Sequence, residues 1–380
     1  MVALLALSAS NVLSAGNKAG PPPVTILTPA TGLGNGYIFV APIGGNYANG
    51  PEILDTQGNV VWFQSIPNKQ TAADFRVQRY HGKQVLTWWQ GTGWGPWLSC
   101  GTDYIYDNHF NQIATVQAGN GFCADGHEFL ISPWNTALIT IYAVATADLT
   151  SMGGPADQTV VNGLVQEIDI PTGQVLFQWN SADHVPYSQS HVPLPANANQ
   201  PWDWFHINAI AVDTDGNLLI DSRHTWAVFK VDHASGEVIW TLGGKASSFT
   251  LAAAPGQVLN AANEIFAWQH DAQPLGNGLY SLFDNEAGGG SQLLPYSRAV
   301  VVQLDETRHV ATLVASYNQP EGLLAFSQGN AQATDDGNLF VGWGQLPYFS
   351  AFDASGNLIF NASFPSGVNS YRAYFLPLHQ

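Results

Sequence analysis

Basic residues are scarce: 380 residues carry 11 Lys+Arg against 28 Asp+Glu, a formal charge of −17. Nucleic acid and anionic membrane surfaces call for a dense basic face, so the balance argues against both as partners. Any anion this chain binds must be held by a few local donors. Charged residues of either sign make up only 10% of the chain, whereas apolar residues reach 46%, ample for a large core. No stretch is long and apolar enough to span a membrane. The apolar run from Val2 to Ala15 ends in small residues like the later part of a secretory leader, but lacks its basic start. Residues 1–20 are therefore expected to be leader-like or disordered, and residues 21–380 to form one folded domain.

Several catalytic signatures are missing as well. There is no Gly-rich phosphate loop of the Walker type, no GxSxG elbow and no His-Glu-x-x-His helix. Helical periodicity is almost absent; the exception is Ala252 to Phe266, which opens with three alanines and is expected to make a short helix. Cysteines number two, Cys100 and Cys123. Between them a strand, a turn and a second strand would bring Cys123 back toward Cys100, which favours a disulfide over two buried free thiols. A disulfide in turn points to an oxidising, extracellular compartment. One glycosylation acceptor, Asn361-Ala362-Ser363, fits a secreted protein.

What the chain does have is a loose repeat. One half-unit, Asp-x-x-Gly-x followed by alternating apolar residues, occurs at Asp55, Asp169, Asp232 and Asp353, with one more residue before the glycine at Asp169 and Asp232, and with degraded copies at Asp107 and Asp305. A Gly-centred turn before an apolar run precedes each: Gly34 to Gly36, His81 to Lys83, Asp125 to His127, Asp215 to Asn217, Gly276 to Gly278 and Asp336 to Asn338. Four short strands follow one another between Trp204 and Leu242, the content of one propeller blade. The fold class is therefore all-β, a six-bladed β-propeller, with the N-terminal strand or the run from Tyr371 to Leu376 closing the ring. Insertions at Ala147 to Gly163 and Asp183 to Trp202 are expected to lie over one mouth of the channel.

Polar residues on the innermost strands of a propeller converge on its axis. The candidates are His127, His206, Asn208, Arg223 and His270, with Trp202, Trp204 and Trp268 available to wall an aromatic substrate. Three histidines with Asp125, Glu128 and Asp271 nearby invite a metal, but the fixed charge of Arg223 would oppose one. The competing reading is an anion site, in which imidazoles, an amide and a guanidinium fork grip a tetrahedral oxyanion and a neutral imidazole serves as nucleophile. His184, His191, His224, His233 and His309 read as solvated loop or turn residues.

The block Trp204-Phe205-His206-Ile207-Asn208-Ala209-Ile210, then Ser222-Arg223-His224-Thr225, Gly236 to Gly244 and Trp268-Gln269-His270-Asp271-Ala272 resembles the arylsulfotransferase family, and more closely its fungal and actinobacterial branch. The resemblance runs from about Pro21 to Leu378. It implies a six-bladed propeller that moves a sulfuryl group from an aryl sulfate to a phenol without a nucleotide donor and without a cofactor. It also implies that His270 becomes sulfated, that His206, Asn208 and Arg223 bind the sulfuryl oxygens, and that His127 is a further channel histidine. The periplasmic bacterial members carry an extra N-terminal β domain that this chain lacks. Two readings of another kind stand beside this one: a secreted propeller that binds a ligand or partner through its loop face, and a different channel-histidine enzyme acting on an aromatic metabolite.

Overall fold

The repeating aspartates turn the chain at the same place in every blade. Asp55, Asp107 and Asp353 each accept two main-chain N–H groups two and four residues on, and Asp169, Asp232 and Asp305 accept from residues two or three further along. Each side chain thereby closes the turn between the third and fourth strands of a blade, which is why this half-unit recurs six times.

The computed structural model describes residues 20–93, 99–197 and 199–379, so the leader-like run Val2 to Ala15 lies outside the described residues. From the axis outward, blade one is built from Val368–Leu376, Tyr37–Gly44, Glu52–Leu54 and Val60–Phe63. Blade two is Thr71–Tyr80, Lys83–Thr92, Cys100–Asp107 and Gln112–Val116; blade three is Phe129–Ile131, Ala137–Ala147, Gln158–Ile168 and Val175–Asn180. Blade four is Ile207–Val212, Leu218–Ser222, Ala227–Val231 and Val238–Leu242. Blade five is His270–Gly276, Leu279–Asp284, Arg298–Asp305 and Val310–Asn318; blade six is Asn330–Ala333, Leu339–Gly342, Tyr348–Phe352 and Leu358–Ser363.

Both chain ends close the ring. The C-terminal strand Val368–Leu376 is the innermost strand of blade one, and Thr25–Thr28 is added outside blade six, pairing with Leu358–Ser363. Polar residues on inner strands staple neighbouring blades: Asn330 exchanges two hydrogen bonds with the main chain of Ala373, and Gln78 bridges the Phe129 carbonyl and the Ile131 N–H. The apolar cores fill the wedges between blades, as where Leu219, Val228 and Trp240 of blade four meet Leu282, Val300 and Leu313 of blade five. Cys100 and Cys123 form a disulfide with a Cα separation of 4.9 Å, beside a bridge between Gly101 and Ala124. Among the described residues no helix is long and apolar enough to cross a membrane.

Four expectations change. The segment expected as a helix begins instead with a strand, Thr250–Ala253, that lies parallel to Val310–Asn318 at the outer edge of blade five. The alanines favour a helix, but Pro255 and Gly256 (φ +86°) follow before a turn can be nucleated. The insertion expected at Ala147 to Gly163 is shorter: Ala137–Ala147 and Gln158–Ile168 pair residue for residue, leaving a ten-residue connection, 148–157, that holds the 3-10 turn Thr150–Met152. Asp125 to His127 is not a turn inside a blade but the entry to the inner strand of blade three. Asn361 does not suit glycosylation, because it is 3% exposed, accepts from Ser350 and donates to Glu321.

Candidate active site at the channel mouth

The inner strands of the blades start at one mouth of the channel, and the sequence places aromatic nitrogen there. His127 enters blade three, His206 blade four and His270 blade five. The rings of His127 and His206 are 5.4 Å apart and those of His206 and His224 are 4.5 Å apart. Tyr371, from the closing strand, lies 5.4 Å from His127 and 6.4 Å from His270, and Tyr142 stands beside both His127 and His206. His206 holds a left-handed backbone (φ +55°), as do Trp268 (+59°), Asp271 (+59°) and Gln328 (+67°). Such conformations cost energy in non-glycine residues, and their gathering here marks a site whose geometry is held by its surroundings.

One or two residues deeper, the channel is plugged by charge. Arg372 contacts Asp74 (3.1 Å), Glu128 (2.9 Å) and Asp271 (3.5 Å), and its other nitrogen donates to the Asn208 carbonyl at 3.0 Å. Arg76 pairs with Glu128 and lies 3.3 Å from Asp74. Glu128 and Asp271, which the sequence places near enough to the histidines to support a metal, belong instead to this network. Only Asp125 stays with the histidines, paired to Nδ1 of His127.

His206 Nδ1 meets Asp203 Oδ2 at 2.5 Å. A cavity of about 490 Å³ opens beside it, walled by Val192, Leu194, Pro195 and Trp202 of the long insertion and floored by Asp203, His206 and His224. A second cavity, of about 540 Å³ near Arg79 and Lys83, sits by the first turn of blade two, away from the histidines. The insertion Asp183 to Trp202 thus covers the site, as expected.

His270 is enclosed, at 1% exposure. Its Nδ1 faces Asn285 Oδ1 at 2.7 Å, and its Nε2 accepts the Gln328 N–H at 3.1 Å. Arg223 stacks over Trp268 (5.0 Å), donates through Nη1 to His224 Nε2 (2.9 Å) and through Nη2 to the Phe326 carbonyl (2.6 Å). Gly288 permits this stack, since a Cβ there would stand 2.6 Å from Arg223 Nη2 and 2.7 Å from the indole. Burial, followed by the charge of Arg223, holds His206 and His270 well below the usual imidazole range; burial likewise pushes His224 down to about 3. All three rings are neutral at pH 7.

The remaining candidates sit elsewhere. Asn208 donates its amide to the carbonyl of Gln269, between blades four and five, and its Oδ1 is buried with no hydrogen-bond partner among the described residues. Trp204 is fully buried with its indole N–H on Asn162, so it belongs to the core and does not wall the cavity. Trp268 is buried beneath Arg223. Trp202 does line the cavity. His224 is no solvated turn residue, and neither are His191, stacked on Trp226 at 3.6 Å, and His233, paired with Glu167 at 2.6 Å. Asp203, Tyr142, Asn285 and Tyr371 have no motif around them; only the Trp-Asp-Trp-Phe-His run placed Asp203 within reach of His206.

Asp203, His206 and His224 offer ligand atoms all within 4.8 Å of one another, enough to hold a metal ion. Their hydrogen bonds describe a different arrangement. Arg223 donating to His224 Nε2 places the ring proton on Nδ1, where it is given to the Asp203 carbonyl at 2.5 Å. A metal at Nδ1 would need the opposite tautomer and would sit near a guanidinium.

Comparison with known proteins bears on the fold and the family. A protein of unknown function from Bacteroides caccae superposes with a TM-score of 0.52 at 12% identity, covering 90% of this chain and 99% of that one. The periplasmic gluconolactonase of Pseudomonas aeruginosa gives a TM-score of 0.45 at 11% identity, over 90% and 99% of the two chains. Virginiamycin B lyase from Staphylococcus aureus gives 0.44 at 9% identity, over 89% and 87%. The first of these likenesses shows the propeller fold and nothing more. A search of curated proteins gave no match. Residues 76–365 match the model of the arylsulfotransferases (ASST), from the inner strand of blade two to the end of blade six, and on that match the chain belongs to the arylsulfotransferase family.

Proposed function

We propose that the protein transfers a sulfuryl group from an aryl sulfate to a phenolic acceptor through a sulfated His270, outside the cell and without a cofactor. The observation that carries the reading is a neutral imidazole at His270, protonated at Nδ1 and with its lone pair at Nε2, within the electrostatic reach of the Arg223 guanidinium in a chain otherwise poor in cations. The family match supports the reaction class, and the disulfide suits an oxidising compartment.

The aryl ring enters the cavity beneath Val192 and Trp202, with its sulfuryl group directed inward past His206 and His224. Arg223 and the hydroxyls of Tyr142 and Tyr371, both kept protonated by burial, neutralise the sulfuryl oxygens. For this the main chain must give up four contacts: Phe326 releases Arg223, Gln328 releases His270, and the Tyr142 and Tyr371 hydroxyls turn from the carbonyls of Ile207 and Asn208. Nε2 of His270 attacks sulfur in line, the S–O bond breaks and the phenolate takes the electron pair. The phenolate leaves as the anion; His206, neutral, carboxylate-backed and facing the cavity, or His127 behind it, then removes the proton from the acceptor phenol and passes it on to the departing phenolate or to solvent. Asn208 acts through Gln269 to hold the strand that carries His270. Mass spectrometry after incubation with p-nitrophenyl sulfate tests the reading: a sulfuryl adduct on His270 is expected, and its absence together with no transfer to phenol sinks it.

A further inference from the structure

Three imidazoles at the mouth differ in what stands behind Nδ1. His127 has the carboxylate of Asp125 and His206 that of Asp203, whereas His270 has the side-chain carbonyl of Asn285 at 2.7 Å. A carboxylate behind an imidazole stabilises the protonated ring, which suits a group that takes up and returns a proton. A carboxamide carries no charge. It accepts the Nδ1–H, and so fixes the lone pair on Nε2, while giving the cationic ring far less stabilisation.

The amide of Asn285 is not free to turn around. Its Nδ2 donates to the carbonyls of Ala325 (2.8 Å) and Gln328 (3.0 Å), which leaves only Oδ1 to face His270. The residue is fully buried, and its own main-chain carbonyl accepts from Ser297 Oγ at 2.7 Å. On the far side of the ring the Gln328 N–H points at Nε2, a contact that needs a lone pair there. Acceptor on one nitrogen and donor on the other specify a single neutral tautomer.

We propose that Asn285 is the positioning residue for the nucleophile: it holds His270 in the Nδ1-protonated neutral form and, by carrying no charge, keeps the sulfated ring reactive enough to pass its sulfuryl group on. This inference rests on the sulfuryl-transfer reading. In the first half-reaction the Nε2 lone pair forms the N–S bond, the aryl S–O pair leaves with the phenolate, and the Nδ1 proton stays in its bond to Asn285, so the ring becomes an N-sulfated imidazolium. In the second, the acceptor oxygen attacks sulfur, the N–S pair returns to Nε2, and the phenolic proton goes to a carboxylate-backed histidine. An aspartate at position 285 would stabilise the imidazolium and slow the second half-reaction.

The test compares wild type, Asn285→Asp and Asn285→Ala in the full chain, with p-nitrophenyl sulfate as donor and phenol as acceptor. For Asn285→Asp the sulfated enzyme should persist, with transfer to phenol slowed by about ten- to a hundredfold, the range seen when the partner behind a metal-bound imidazole is changed. Its acid limb in the pH–rate profile should move to higher pH, because a stabilised imidazolium loses its lone pair earlier as pH falls. Asn285→Ala, which covers the case in which a buried aspartate prevents folding, should lower kcat more than it raises KM, and 15N spectra of His270 should show mixed tautomers. No adduct in the wild type overturns both the transfer reading and this inference. A wild-type adduct with unchanged pH profile and half-reactions in the variants, or a wild-type His270 proton on Nε2, overturns this inference alone.

Discussion

Arg372 Nη1 lies 2.9 Å from Glu128 Oε2, joining residues 244 positions apart in sequence across the channel. The same guanidinium reaches Asp74 and Asp271, so the closing strand ties blade one to blades two, three and five. Removing one member of a buried ion network strands the others without a partner. Arg372→Met should therefore lower stability by about 3–5 kcal/mol or block folding, and adding Glu128→Gln should recover part of the loss. Urea unfolding reads this directly; a wild-type midpoint for Arg372→Met would show that the plug does not hold the ring together.

The disulfide closes a loop with a sequence separation of 23 residues in blade two. Constraining the unfolded chain over a loop of that length contributes about 3 kcal/mol in the chain-entropy model. Reduction should lower the unfolding midpoint accordingly; because Cys123 stands two residues before Asp125, the partner of His127, transfer activity measured alongside shows whether the bond also positions that ring. Two free thiols titrated in unreduced, denatured protein would contradict the bond.

The blade count was legible because one physical device, an aspartate accepting from the following main-chain N–H groups, recurs in sequence with a glycine three residues on at Asp55 and Asp353 and four on at Asp169 and Asp232. His206 and His270 were legible because they sit beside tryptophans at the starts of inner strands, and Arg223 because it follows the strand Leu218–Ser222 in a turn that ends at Trp226. Arg372 and Asp74 were not: nothing local marks them, and they meet from strands 298 residues apart only after the ring closes. Asn208 misled because an amide beside a histidine suits an anion as well as it suits the neighbouring blade, and only the Gln269 contact decides. The alanines at 252–254 misled for a simpler reason, that propensity yielded to the free edge of blade five.

Glu52 is buried in blade one with no hydrogen-bond partner for its carboxylate among the described residues, and burial pushes its pKa from 4.5 up to about 8. A folded-state pKa above the unfolded one means that the neutral acid is favoured on folding. Its contribution is full below the unfolded value and is lost as pH rises through the folded one. Wild-type stability should thus decline between about pH 5 and pH 9, and Glu52→Gln should remove that part of the decline, on the order of 5 kcal/mol. Thermal unfolding across the range checks it, and parallel curves for the two proteins would show that Glu52 does not titrate in this way.

His270→Ala should abolish transfer from p-nitrophenyl sulfate. The ring is enclosed and bonded at both nitrogens, so its loss should also cost about 1–3 kcal/mol of stability, more than an imidazole hanging free in a channel would. Activity and unfolding measured on the same preparation separate the two effects. Retained transfer would move the nucleophile to another histidine, with His206 the next to be tested.

Arg223→Lys carries the sharpest consequence for catalysis. The guanidinium serves His224 with one nitrogen and the Phe326 carbonyl with the other while its face lies on Trp268. An ammonium keeps the charge but has neither the planar fork nor the stacking face, so it cannot hold two oxygens of a sulfuryl group in fixed directions. The chain charge of −17 repels anions at long range, so a local cation that loses its grip is not offset by the rest of the protein. Transfer should fall by about a hundredfold or more, the cost of losing one preorganised oxyanion donor, with kcat bearing most of the loss because the developing charge is greatest in the transition state. If the lysine variant instead raises KM at constant kcat, Arg223 only gathers substrate, and stabilisation of the sulfuryl oxygens must be sought in Tyr142 and Tyr371.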